Sequence, residues 1–202
     1  MTEPHNMNTG ITAVRNAMYL YNGGLFAEVQ FDDATNADGT PRYVPLTLST
    51  EPYSPNAALL ADVKARCNGE ILIPPGLTDV MKRAKRADIN AWRDAQENGN
   101  YLFEYNGHRW DYGKTTQDRM AISLTMAKQN KLPAGFAWTD GDNNIVPMDN
   151  AGLIALAAAM EQAMFEKGMQ INQRQLQMKA EVEALTEPDA IRSYTVGWPE
   201  GS

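Results

Sequence analysis

The second half of the chain carries two hairpin signals followed by one long helical pattern. Between residues 101 and 112, aromatic side chains flank Asn106-Gly107, a dipeptide that suits the two-residue turn of a β-hairpin. A second hairpin is predicted around Asp140-Gly141. From about residue 149, apolar side chains recur at intervals near three, four and seven, as a helix with one buried face requires. These side chains are Leu153, Leu156, Met160, Met164, Ile171, Met178, Val182 and Leu185.

The first part of the chain predicts a small β-rich module. Residues 1–16 are polar and predict an extended arm. A hairpin is expected over residues 17–31 because aromatic and β-branched residues surround an Asn-Gly-Gly turn. A third strand is predicted over residues 43–48, and Pro45 confines it to a sheet edge because proline has no N–H to donate.

Capping residues predict where the helices begin. Ser54-Pro55 has the form of an N-cap followed by Pro at the first helical position, and Thr78 is placed to cap the next helix. Thr115 and Asp118 have the spacing of a capping box. Gly168 lies inside the long C-terminal helix at a cost of about 1 kcal/mol relative to Ala, which indicates a bend or a close contact there.

A linker candidate divides the chain in two. A short strand is predicted over residues 70–73 and is followed by Pro74-Pro75-Gly76, a triplet that ends regular structure. We therefore predict an α+β fold in two domains: a small N-terminal β-rich module at residues 1–76, and a domain at residues 77–202 with two hairpins and helices that include one long C-terminal helix.

Composition excludes two classes of partner. The formal net charge is -7 and the pI is near 4.9, whereas binding to nucleic acid needs a basic surface that releases counterions. The basic run Lys82-Arg83-Ala84-Lys85-Arg86 is offset by Asp79, Asp88 and Asp94 in the same helical segment, so a solvated helix face is expected. The chain has neither an apolar run of about 18 residues nor a signal-peptide pattern, which predicts a cytoplasmic protein without a membrane partner.

The acidic turn after Trp138 resembles the opening of a calcium loop, but only in part. Asp140, Asp142 and Asn144 alternate as cation ligands would, yet Ile145 stands where such a loop needs Gly. Ala151 stands where a carboxylate must complete the oxygen shell. We therefore predict a structural turn, and neither a metal nor a cofactor.

No arrangement of side chains predicts an enzyme. His108 with Asp111 and Glu104 would be a general base with carboxylate orienters. In the predicted hairpin, however, His108 and Trp110 share one face and Asp111 lies on the other, which separates His108 from Asp111. Cys67 is the only cysteine, which excludes a disulfide within the chain and a cysteine cluster for metal. The expected function is binding, without catalytic residues.

The C-terminal tail is the candidate docking segment. Trp198 lies where little chain remains to cover it, and an exposed Trp is costly unless a partner buries it. We predict that Tyr194 and Trp198 bind a partner.

The long helix leaves two alternatives open. Its methionines Met160, Met164, Met169 and Met178 are consistent either with a core or with a seam to a second copy, and the second alternative predicts a homo-oligomer through this helix.

Four motifs together resemble an uncharacterised domain family common in tailed bacteriophages and prophages. They are a helix at Lys85–Asp94, a hairpin at Phe103–Asp111, a helix start at Gln117-Asp118-Arg119, and a turn at Trp138–Asn143, and the resemblance covers residues 82–198. The first part of the chain, with Tyr43-Val44-Pro45-Leu46-Thr47 and Asn68-Gly69-Glu70-Ile71, also resembles the front module of small proteins encoded beside phage tail-fibre genes.

The resemblance implies a role in a phage tail and implies no activity. On this basis residues 1–76 are expected to be an attachment module and residues 77–202 a tail-associated domain. The chain is expected to be a non-enzymatic structural or attachment component of the tail or its fibres, made in the host cytoplasm, present in the virion, and bound to tail or tail-fibre proteins. The alternative is a tail-fibre assembly chaperone that is absent from the particle.

Overall fold

The protein has the predicted α+β fold. Its structure, a computed structural model, describes residues 9–51, 54–67, 69–199 and 201. The chain divides into two compact units, residues 1–84 with 185–194 and residues 85–184 with 195–202. Across the described residues, no helix combines the length and the apolar character that a membrane crossing needs.

A three-stranded antiparallel sheet forms the first unit. It consists of β1 (Ile11–Tyr19), β2 (Gly24–Phe31) and β3 (Val44–Ser49) in the order β1-β2-β3. Leu25, Ala27 and Val29 of β2 are fully buried, because alternate side chains of a strand share one face. Since β3 pairs only with β2, the edge position predicted from Pro45 is confirmed.

The extended arm predicted for residues 1–16 is wrong from Ile11 onward, and residues 1–8 of it lie outside the described residues. Ile11 pairs with Phe31 at the end of the β1–β2 ladder and is buried, so this polar segment is held by its few apolar side chains.

Two boundary predictions in the first unit are also wrong. Helix α1 (Ala57–Arg66) begins after Asn56, and the Ser54 hydroxyl donates to the Asn56 amide oxygen instead of capping the helix. The strand predicted over residues 70–73 is reduced to one parallel bridge between Leu72 and Met18. Pro74 and Pro75 follow directly, and neither has an N–H with which to extend the pairing.

Helix α2 (Leu77–Glu97) contains the point where the two compact units divide, between Ala84 and Lys85. Thr78 lies inside this helix and not at its cap. The predicted domain boundary after residue 76 is a statement about independent folding: residues 77–202 should fold without the rest of the chain. This boundary stays a prediction.

The short helix α5 (Pro188–Ser193) belongs to the first unit. Its Asp189 accepts hydrogen bonds from the Tyr19 hydroxyl at 2.8 Å and from Lys64 Nζ at 2.5 Å, and it pairs with Arg192 at 2.7 Å. Burial alone would raise the pKa of Asp189, but the hydrogen bonds and charges of these neighbours lower it.

The second unit contains both predicted hairpins. The first joins β4 (Leu102–Tyr105) to β5 (His108–Asp111), and the second joins β6 (Ala137–Thr139) to β7 (Ile145–Pro147). Asn106 and Gly107 have φ angles of 48° and 74°, the left-handed conformation that the predicted Asn-Gly turn requires.

Helix α3 (Lys114–Lys128) lies between the hairpins, and the capping box predicted for it is wrong. Gly113 occupies the N-cap position, and Thr115 is already inside the first turn. The Thr116 hydroxyl donates to the carboxylate of Asp111 at 3.0 Å, which ties the helix to the end of β5.

The long helix α4 (Asn150–Ala184) follows, and the Asp149 carboxylate caps it by accepting the Gly152 N–H at 2.7 Å. Its predicted stripe is largely buried, and the methionines Met160 and Met178 lie in the core, whereas Met169 is exposed. Gln175 is also buried, and its Nε2 donates to Asn90 Oδ1 at 3.0 Å. Of the bend or close contact predicted at Gly168, the structure excludes the close contact, because a methyl group there would meet nothing within 4 Å outside the helix's own backbone.

Candidate functional site

The C-terminal tail packs on two helices of the second unit. The Trp198 ring lies 5.2 Å from the Trp92 ring at an interplanar angle of 74°, an edge-on arrangement that aromatic pairs prefer. Trp198 Nε1 donates to Gln96 Oε1 at 2.9 Å. The ring is therefore half-buried against its own unit, and the expectation that little chain covers it is wrong in that respect.

Hydrogen bonds at Gly197 hold the backbone before Trp198 against α4. Arg174 Nε donates to the Gly197 carbonyl at 2.7 Å, and the Gly197 N–H donates to Met178 Sδ at 3.4 Å. The φ angle of Gly197 is 153°, a conformation that residues with a Cβ rarely adopt. Arg174 itself pairs with Glu181 at 3.3 Å and is only 11% exposed, so the group that anchors the tail is largely buried and ion-paired.

Lys167 is a cation between two aromatic rings. Its Nζ lies 4.6 Å from the centroid of Trp198 and 4.7 Å from that of Tyr101. A cation at this distance is attracted to the face of an aromatic ring by about 0.5–1 kcal/mol at an exposed site. Among the described residues Lys167 has no ion pair, so its charge is available to a ligand.

These residues border a groove of about 420 Å³, which we call the tail groove. One Trp, one Pro, three amides and two cations line it: Lys167, Gln170, Gln173, Arg174, Gln177, Trp198 and Pro199. Amides donate and accept hydrogen bonds, and the indole supplies apolar area. This lining suits a peptide segment, and it contains no nucleophile paired with a base.

The two predicted partner-binding residues belong to different units. Trp198 lines the tail groove, whereas Tyr194 follows α5 and belongs to the first unit. Sequence reasoning identified Trp198 but missed Lys167 and Arg174. The signal available for them was the helical spacing of long polar side chains along α4, which indicates a common face without showing what covers it.

The acidic turn forms a second polar cluster, in which the side chain of Asp140 holds the turn that was predicted here. Asp140 Oδ1 accepts the backbone N–H groups of Asp142 at 2.9 Å and Asn144 at 2.8 Å, while Oδ2 accepts the Asn144 side-chain amide at 3.0 Å. Asn143 has a φ of 65°, which Asn tolerates. Within the ranges that the structure describes, no group of three or more His, Cys, Asp and Glu residues could hold a metal ion.

His108 pairs with Asp140, a contact that the sequence did not reveal. His108 Nδ1 lies 2.9 Å from Asp140 Oδ2, and the side chain of Asp140 is 1% exposed. The pair connects the β4–β5 hairpin to the β6–β7 turn, and the Gly141 N–H reinforces it by donating to the Arg109 carbonyl at 2.7 Å. The predicted separation of His108 from Asp111 agrees with the strand register.

The pKa of Asp140 reflects these contacts. Burial alone would raise it, but hydrogen bonds from Asn144, His108 and the backbone at Asp142 outweigh burial and lower the pKa to about 2. Asp140 is therefore a carboxylate whose acceptor sites are occupied by the protein itself, an arrangement that serves the fold.

Comparison with known proteins places the second part of the chain in a family. No curated protein matches the chain, and no solved structure matches it. Residues 80–196 match a family described as a domain of unknown function, DUF4376. Because that match spans more than half of the sequence, this chain belongs to the DUF4376 family.

Proposed function

We propose that the protein is a non-enzymatic structural or attachment component of a bacteriophage tail or tail fibre and acts by binding another tail protein. It is made in the host cytoplasm and retained in the virion. The observation that carries the binding role is the tail groove, where the half-buried Trp198 and the amides of α4 offer a surface for a peptide segment.

The residues that carry the phage-family resemblance support binding over catalysis, because their side chains hold the second unit together. Trp110 is 2% exposed, and its Nε1 donates to the Tyr105 carbonyl at 3.0 Å. Asp111 accepts from Thr116, and Asp140 is occupied by its own turn. Trp110, Asp111 and Asp140 therefore each have a hydrogen-bond partner within the second unit.

Mass spectrometry of purified particles of the phage that encodes the chain tests the proposal. We expect the protein in a fixed ratio to known tail proteins. Its presence in infected cells together with its absence from particles would support the alternative, a tail-fibre assembly chaperone. Release of a product from host cell wall or polysaccharide by the purified protein would overturn the non-enzymatic role.

Substitutions in the tail groove test whether it is the binding surface. Trp198→Ala should weaken association with the partner at least thirtyfold, as loss of an aromatic anchor worth about 2 kcal/mol does. Because the ring also packs on Trp92, the same change should cost about 1–2 kcal/mol of the protein's own stability.

A second substitution separates binding from folding. Gln173 is exposed and lines the groove, so Gln173→Arg should obstruct a partner while the melting temperature stays unchanged. Gln129→Arg places the same side chain at the exposed end of α3 and serves as the control. If both arginine variants bind the isolated tail partner like the wild type, the tail groove is not the docking surface.

A further inference from the structure

Helix α4 carries a second apolar stripe, separate from the stripe that faces the core. Four large apolar side chains of the helix are exposed: Ile154 at 37%, Phe165 at 64%, Met169 at 47% and Leu176 at 59%. At about 100° per residue all four fall within one narrow sector of the helix surface. Exposed apolar groups aligned in this way mark an interaction surface more strongly than scattered ones do.

The stripe continues along the helix with the spacing of a coiled coil. Exposed residues follow one another at alternating intervals of four and three, an average of 3.5: Ala151, Ala155, Ala158, Gln162, Phe165, Met169, Asn172 and Leu176. Small residues occupy its first part and large apolar residues its second part. Gln162 and Asn172 are the two polar residues inside the stripe. We call this surface the α4 seam.

We infer that the α4 seam binds the same seam of a second copy of this chain, with the two helices antiparallel. The charges flanking the seam select this orientation. Glu161 and Lys179 lie on the same flank because their separation of 18 residues is about five helical turns. Among the described residues neither side chain has an ion pair.

An antiparallel two-fold axis brings like flanks of the two helices together. When Phe165 opposes Leu176 of the second copy, Met169 opposes Asn172, and Glu161 falls beside Lys179 of the second copy. Symmetry makes each of these contacts twice, as in any closed isologous dimer. The same register therefore pairs the largest apolar groups and two sets of opposite charges.

A parallel arrangement gives the opposite result. In in-register parallel helices, the flank that carries Glu161 and Lys179 would face the opposite flank of the other chain. Glu161 would then lie beside Glu166, and both attractive Glu161–Lys179 pairs would be lost. The inference does not depend on the proposed phage-tail role, since it rests on the surface of α4 alone.

Sedimentation equilibrium of the full chain over a range of concentrations tests the interface. We expect the mass of a dimer for the wild type and of a monomer for the double variant Phe165→Glu/Leu176→Glu, with far-UV circular dichroism unchanged. Ile122→Glu replaces an equally large side chain on α3, 72% exposed and outside the seam, and should remain dimeric. A wild type that stays monomeric, or that forms trimers, would overturn the inference.

Charge reversal tests the orientation without removing apolar contacts. Glu161→Lys and Lys179→Glu should each raise the dimer Kd about tenfold, because two attractive pairs become repulsive. The double variant Glu161→Lys/Lys179→Glu should restore the wild-type Kd. Single variants with unchanged affinity, or a double variant weaker than both, would show that the helices do not meet in this antiparallel register.

Discussion

The carboxylate of Asp140 shows how one buried charge can organise two hairpins. It accepts hydrogen bonds from its own turn, and it pairs with His108 of the other hairpin at 2.9 Å. A buried carboxylate is tolerated because hydrogen-bond donors surround it, and these donors also lower its pKa. The calcium-like spacing of this segment therefore reflects an Asx turn whose oxygens are already occupied.

The lowered pKa of Asp140 predicts a loss of stability in acid. Its folded-state pKa is about 2 and the ordinary value is 3.8, so the folded protein binds this proton less readily than the unfolded chain does. The contribution is therefore complete above about pH 4 and is lost as the pH falls toward about 2. In denaturant melts, Asp140→Asn should flatten the decline over that window. Asp88→Asn changes an exposed carboxylate of α2 and is the control for net charge. An equal slope in all three proteins would contradict the assignment.

At the scale of elements, helix α4 has three faces with different surroundings. One face carries the core residues, a second carries Lys167 and Arg174 at the tail groove, and a third is the exposed α4 seam. The periodic apolar pattern predicted the core face correctly, because a buried stripe leaves a strong signal in sequence. The four-and-three spacing of the seam was present as well, but its alanines and amides weaken the apolar contrast on which pattern reasoning depends.

Gly168 offers a direct test of how α4 is stabilised. Because a Cβ there meets nothing within 4 Å and the residue is exposed, Gly168→Ala should raise the free energy of unfolding by about 1 kcal/mol through helix propensity. Gly107→Ala is the matched control, since its φ of 74° is unfavourable for Ala and should make that variant less stable. Chemical denaturation measures both. A Gly168→Ala protein that is no more stable than the wild type would indicate that α4 needs glycine at this position.

At the scale of the whole molecule, local signals in the sequence predicted the helices and strands, whereas the contacts between distant residues could not be predicted from it. The Asn-Gly turn and the helical period lie within a few residues of sequence, so both hairpins and the long helix were predictable. Trp198 and Gln96 are 102 residues apart, and His108 and Asp140 are 32 apart, so no local spacing reveals either contact. The predicted helix starts at Ser54 and Thr115 failed for local reasons. The Ser54 hydroxyl donates to Asn56 two residues away, and Thr115 lies inside the first turn of α3.

The predicted division after Pro74-Pro75-Gly76 leads to a test on the isolated fragment 77–202. This fragment keeps the second unit, whose core includes Trp110, Leu153 and Met160, so it should unfold in one cooperative transition.

Helix α5 belongs to the first unit, and in the fragment it loses the Tyr19 and Lys64 partners of Asp189. Asp189→Ala should therefore lower the stability of the full chain by about 1 kcal/mol and leave the fragment unchanged. A fragment without a cooperative melt would overturn the division, and equal destabilisation of both proteins would show that α5 is held by contacts within 77–202.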